Sequence, residues 1–141
     1  DCSAERMWSI FENNRAWEDF TPGLSKATWT SDPPMCAGST RRVKLSAWLG
    51  GLEANEVFFD WVPNSRFAFY MKNGTSRMIR AYGELWTLEN QGGNQTKLRL
   101  QTAFEFNRSY LTQATRRIVP ILNWGFYRHV KSVKRYAENH R

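Results

Sequence analysis

Residues 110–140 read YLTQATRRIVPILNWGFYRHVKSVKRYAENH, and the spacing of the apolar side chains in this stretch decides the fold. On a helix successive side chains are about 100° apart, which gathers Leu111, Ile118, Val119, Leu122, Phe126, Val130, Val133 and Tyr136 into about a third of the circumference. Arg116, Arg117, Arg128, Lys131, Lys134 and Arg135 fall on the other side. The segment is therefore expected to be a long amphipathic helix that lays one face on a large apolar surface and turns the other to water. Pro120 removes a backbone donor and crowds the turn before it, which predicts a kink or a short lead-in helix at that point.

The surface this helix needs lies upstream. From Leu24 the period changes from helical to strand-like, and six strands are expected over Leu24–Thr30, Thr40–Leu49, Leu52–Val62, Arg66–Lys72, Met78–Glu89 and Lys97–Phe106. They are separated by turn formers: Asp32-Pro33-Pro34, Gly50-Gly51, Pro63-Asn64-Ser65, Asn73-Gly74 and Gln91-Gly92-Gly93-Asn94. Short turns between consecutive strands imply an antiparallel meander. Val43, Leu45, Ala47 and Leu49 alternate with Arg42, Lys44 and Ser46, as expected for a sheet with one dry face. Val57-Phe58-Phe59 with Trp61, and Leu85-Trp86, are apolar on both faces, so periodicity does not say which side of those strands points inward. Before the sheet, Ser3 is placed to cap a short helix whose buried side is Met7, Trp8, Ile10 and Phe11. Asn13-Asn14 breaks it, and a second short helix over Arg15–Phe20 ends before Pro22-Gly23.

At 141 residues the chain has room for one domain, here taken as 1–141, and not for two comfortable ones. It carries seven Trp, nine Phe and five Tyr, yet no apolar run approaches the ~20 residues of a membrane span, so a soluble, cytoplasmic protein is expected. Cys2 and Cys36 have neither disulfide-framework nor metal-ligand spacing and are read as two reduced thiols. Metal, phosphate-loop and dinucleotide motifs are absent, so no metal and no cofactor is expected. The net charge of +7 favours acidic partners in general. With no nucleic-acid motif present, a solvated basic helix face is the plainer reading of it and no nucleic-acid partner is expected.

Two small helices, six antiparallel strands and one long helix suggest an α+β arrangement in which a curved sheet wraps the final helix. The chain resembles the helix-grip superfamily of START domains, birch-pollen allergens and polyketide cyclase/dehydrases along nearly its whole length. The matching pieces are Ala4-Glu5-Arg6-Met7-Trp8, Trp17-Glu18-Asp19-Phe20-Thr21-Pro22-Gly23, Gly38-Ser39-Thr40-Arg41, Glu56, Trp61-Val62-Pro63-Asn64-Ser65-Arg66-Phe67, Tyr82-Gly83-Glu84, Gly92-Gly93-Asn94-Gln95-Thr96 and Lys134-Arg135-Tyr136-Ala137-Glu138. It is their order and spacing together that carry the resemblance. The superfamily usually has a further strand ahead of the first small helix; here that strand is expected either upstream of residue 1 or from another chain.

The resemblance implies a cavity between sheet and long helix that holds an apolar or aromatic small molecule, such as a polyketide, lipid or quinone. Its candidate lining residues are Trp29, Val43, Leu45, Ala47, Phe58, Trp86, Leu100, Phe104, Leu122, Phe126 and His129. Glu56 resembles the pocket-facing glutamate of the abscisic acid receptors; if buried it is either a proton-transfer group or the partner of a cross-strand arginine such as Arg42 or Arg80. Tyr70 and Tyr82 are the candidate phenolic donors to a ligand carbonyl, with the Trp29, Trp48 and Trp86 indoles as further donors. A triad enzyme is not expected, since the only histidines are His129 and His140 and no Gly-x-Ser-x-Gly elbow is present. Three functions stay open: a cofactor-independent cyclase/dehydrase, a carrier of a lipid or quinone, and an interaction module using the basic helix face. Trp124 and Tyr127 lie in that basic face, where contact with an anionic membrane or with a second subunit would account for them.

Overall fold

A computed structural model describes residues 2–47, 51–72, 79–106 and 119–139. Within them the order is α1 (Ala4–Glu12), α2 (Asn14–Phe20), β1 (Leu24–Trp29), β2 (Thr40–Leu45), β3 (Glu53–Val62), β4 (Arg66–Lys72), β5 (Ile79–Gly92), β6 (Gln95–Phe106) and α3 (Val119–Asn139). The strands form a single antiparallel sheet in the order β1-β2-β3-β4-β5-β6, the meander expected from the short turns. Trp48, Leu49, Met78 and residues 110–118, with the lead-in helix expected there, lie outside the described residues. Pro120 sits in the first described turn of α3.

Local chemistry accounts for the boundaries. Ser3 caps α1 by accepting from the Arg6 N–H, and Asn13 both ends α1 and caps α2 through its side chain, which accepts from Arg15 N at 2.9 Å. The β5–β6 hairpin closes through Gly93 (φ 57°) and Asn94 (φ 63°), two consecutive left-handed residues that make a tight turn matched to strand twist. That turn lets pairing continue to Gly92↔Gln95, beyond the expected strand ends at Glu89 and Lys97. β2 is shorter than expected, ending at Leu45 rather than Leu49.

The register settles the strands that were apolar on both faces. On β3, Glu56 and Phe58 point inward while Phe59 is 60% exposed, and a register shift between Phe58 and Asp60 returns Trp61 to the inner side. The extra residue of that bulge reverses the parity of the strand. On β5, Glu84, Trp86 and Leu88 are buried, with Tyr82 packed beside them.

The core is an aromatic mesh between α1, α2 and the inner sheet face. Phe11 lies 5.0 Å from Phe67 and 5.2 Å from Trp86 between ring centroids, and Trp8 lies 5.0 Å from Trp61, in the tilted and edge-on arrangements such rings prefer. The Trp17 indole N–H, buried with its ring, donates to the Phe11 carbonyl at 2.7 Å. α3 crosses the same face: Val133 and Ala137 are buried, His129 packs 5.5 Å from Trp86, and Phe126 stacks at 6.1 Å on Tyr82. This is the helix-grip arrangement that the sequence resemblance implied.

Candidate functional site

Between the first half of α3 and the far end of the sheet lies a pocket of about 200 Å³. Val43, Leu45, Leu52 and Ala54 form one wall, Met71, Ile79 and Ala81 the floor, and Tyr82, Phe104 and Phe126 the side nearest the helix. The charged groups at its margin, Glu53 and Arg80, are more than half exposed and engaged outward with Lys44 at 3.2 Å and Glu105 at 2.9 Å. The other lining side chains are apolar apart from Tyr82, whose hydroxyl is bonded to Glu84. The volume exceeds the ~150 Å³ apolar cavity that accommodates benzene and falls below the ~300 Å³ of a typical drug-sized site, which matches a compact one- or two-ring molecule.

Behind Tyr82 sits a buried polar group that alternation along β5 creates. Tyr82, Glu84 and Trp86 are two residues apart, so their side chains leave the same face of the strand. The Tyr82 hydroxyl donates to Glu84 Oε1, and the Trp86 indole N–H donates to Glu84 Oε2 at 2.5 Å. Burial pushes the Glu84 carboxyl from its ordinary 4.5 up to about 7, against the pull of these two hydrogen bonds. Burial and the neighbouring carboxyl also hold the Tyr82 phenol well above 10, so Tyr82 is a neutral donor.

A second buried pair adjoins the first. Arg41 and Glu56 face each other across β2 and β3; the guanidinium Nε donates to Glu56 Oε2 at 2.7 Å, and Nη2 makes an ion-pair contact with the same oxygen at 2.6 Å. Rings surround the cation, with Trp17 4.3 Å from its central carbon and Trp29 and Phe58 each at 5.3 Å. Burial raises the Glu56 carboxyl while Arg41 opposes the rise. One buried cation thus faces two buried carboxyls. Arg41 binds Glu56 directly, and Glu84, raised by burial to about 7, is the carboxyl that can take up a proton near neutrality.

The residues singled out from the sequence separate into three groups. Val43, Leu45, Tyr82, Phe104 and Phe126 line the pocket. Trp29, Phe58, Trp86 and Leu100 belong to the core instead, because ring packing around Arg41 and under α1 and α2 claims them. The Trp29 indole N–H is committed to the Glu12 carbonyl at 3.1 Å. His129 is buried among Trp17, Phe20 and Trp86, its Nε2 lies 3.2 Å from Thr21 Oγ1, and burial lowers it from 6.5 to about 4, so it is a neutral packing residue away from the pocket mouth. Leu122 is half-buried outside the pocket wall, and Ala47 is exposed beyond the end of β2. Tyr70 is 42% exposed on the outer sheet face beside Phe59, because its odd offset from Phe69 turns it away from the ligand side. Glu56 points inward, and its partner is Arg41 rather than Arg42, which is exposed, or Arg80, which bonds Glu105.

Arg41 and Glu84, which complete the buried cluster with Glu56 and Tyr82, were not among the candidates. A cationic residue two positions before Val43, in phase with the apolar set, was the available signal for Arg41; for Glu84 it was its place between Tyr82 and Trp86. Among the described residues no cluster of three metal-ligating side chains occurs.

The family described as polyketide cyclase / dehydrase and lipid transport matches residues 1–138. A protein of Mycobacterium tuberculosis described as uncharacterized is 27% identical, with 95% of this chain and 77% of that protein covered. Among solved structures, the ZhuI aromatase/cyclase from a Streptomyces species superposes with a TM-score of 0.79 at 13% identity, over 97% of this chain and 87% of that one. A START superfamily protein from Mycobacterium smegmatis superposes with a TM-score of 0.78 at 12% identity, over 99% of this chain and 92% of that one.

Proposed function

The chain belongs to the polyketide cyclase/dehydrase and lipid transport family, and on that premise we propose that it binds a one- or two-ring aromatic or similarly apolar small molecule against Tyr82 and moves a proton on it through Glu84. The observation that carries this reading is an apolar pocket lined by Tyr82, whose hydroxyl is bonded to a buried carboxyl that burial raises to about 7. With Glu84 protonated, its O–H donates to the Tyr82 oxygen and the phenol O–H turns to a ligand oxygen. Transfer along this line delivers a proton to a ligand carbonyl during enolisation, or to a hydroxyl that departs as water; solvent water takes the α-proton that either reaction releases, and Glu84, left as carboxylate, regains its proton from solvent. A group poised near neutrality suits both directions of that exchange. Arg41 offsets part of the carboxylate charge that the transfer leaves on Glu84.

The family also includes carriers, and a carrier would use the same pocket without the proton movement. The two are separated by titrating the protein calorimetrically with 1-naphthol and with naphthalene, in wild type and in Tyr82→Phe. The expected result is binding of both rings by wild type, naphthol the tighter by about tenfold, the worth of one hydrogen bond to a buried group, and no preference in Tyr82→Phe. Failure of either ring to bind wild type would sink the pocket reading; equal binding of the two by wild type would leave a carrier without a polar contact.

A further inference from the structure

We infer that the outward face of α3 is a docking surface for an anionic lipid bilayer. Taking the buried Val133 as the inward direction, Trp124 points almost straight away from the sheet, with Lys131 and Arg135 on the same line and Tyr127, Arg128 and Lys134 to either side. Trp124 is 59% and Tyr127 61% exposed, and Ile121, 65% exposed, extends the apolar group toward the start of the helix. Large exposed side chains grouped on one helix face are unusual where water is the only neighbour.

The surrounding charge identifies the occupant. Arg128, Lys131, Lys134 and Arg135 stand against the single carboxylate Glu138, which lies 4.0 Å from Lys134. Two of the cations sit over the exposed rings, Arg128 4.7 Å from the Trp124 ring centre and Lys131 4.4 Å from that of Tyr127. Trp and Tyr rings with Lys and Arg stems are the side chains that settle at the headgroup level, where the ring enters the acyl boundary and the cation meets phosphate. A protein partner offering an apolar groove would match the rings but leave four cations to be desolvated; an anionic bilayer satisfies both. Nucleic acid would match the cations but gives Ile121 nothing to enter. Phe126, on the opposite side of the helix, lines the pocket, so a bilayer on this face lies about one helix diameter, ~10 Å, from the cavity.

The experiment is co-sedimentation with phosphatidylcholine vesicles, alone or with a third phosphatidylserine, at 50 and 300 mM salt, using wild type, Trp124→Ala and the double variant Lys131→Glu/Arg135→Glu. All three positions are exposed, and unchanged thermal unfolding checks that the variants fold. Wild type should bind the anionic vesicles at low salt and lose most binding at high salt, since the Debye length falls below ~10 Å. Each basic side chain near such a surface contributes about fivefold in affinity, so the double reversal should cost at least 25-fold. Trp124→Ala should weaken binding at both salt concentrations. Absence of wild-type binding, equal binding to neutral vesicles, or a dimer in light scattering that Trp124→Ala dissociates would each overturn the inference; the last would assign the face to a second copy of the chain.

Discussion

Arg41 shows how much a single buried side chain governs here. Its guanidinium is held by a hydrogen bond and an ion-pair contact to Glu56 and by the rings of Trp17, Trp29 and Phe58. Glu56→Gln should therefore cost about 3–5 kcal/mol of stability by leaving the guanidinium uncompensated, whereas replacing both partners, as Arg41→Met with Glu56→Leu, should cost much less. Urea unfolding of wild type and the two variants decides it, and equal losses would show that the pair contributes through packing alone. Glu84 makes a different prediction. Its folded value of about 7 lies above its ordinary 4.5, so the folded state binds the extra proton and stability is lost as pH rises from 4.5 through 7. The loss should amount to about 3 kcal/mol, and Glu84→Gln should abolish it, since the amide can accept from Trp86 and donate to the Tyr82 oxygen. His129 acts in the opposite sense, because its value is lowered from 6.5 to about 4 and stability is lost as pH falls through that window. Unfolding midpoints between pH 4 and 8 should thus show Glu84→Gln gaining on wild type above pH 5, while His129→Phe flattens the acid side. Parallel curves would contradict both assignments.

The two small helices are joined at a single residue. Asn13 is the C-cap of one and the N-cap of the next, so Asn13→Ala should cost about 1 kcal/mol. α2 is tied to the sheet edge by Glu18, which accepts from the Ala27 N–H at 2.9 Å. α3 sets the size of the pocket through Phe126. Shortening that side chain, as in Phe126→Ala, should admit three-ring ligands that wild type excludes, measured by titration with anthracene derivatives; an unchanged size limit would place the constraint elsewhere in the wall. Element types were legible because the periods 3.6 and 2 differ strongly in this chain. The bulge at Phe58–Asp60 was not, since a one-residue insertion leaves composition unchanged and only pairing with β4 reveals it.

At the scale of the whole molecule, an occupied pocket should be visible as added stability. A ligand at 100 times its dissociation constant adds about 2.7 kcal/mol, which for a chain of this size raises the melting temperature by about 5–10 °C. Calorimetric scans with and without 1-naphthol test it, and Tyr82→Phe should show a smaller rise. By itself the sequence determined that a long amphipathic helix lies on an antiparallel meander behind two short helices, because each segment carries its own period, cap and turn residues. It also placed Val43, Leu45 and Phe126 on the apolar sides of their own elements. Only the tertiary structure decided that Tyr70 faces outward, that His129 and Trp86 belong to the core, and that Arg41 and Glu84 flank Glu56 and Tyr82. Alternation states which residues share a face of one strand; which groups of different strands meet depends on register and bulges. The charge of a buried cluster, and hence the proton on Glu84, exists only once those strands are paired.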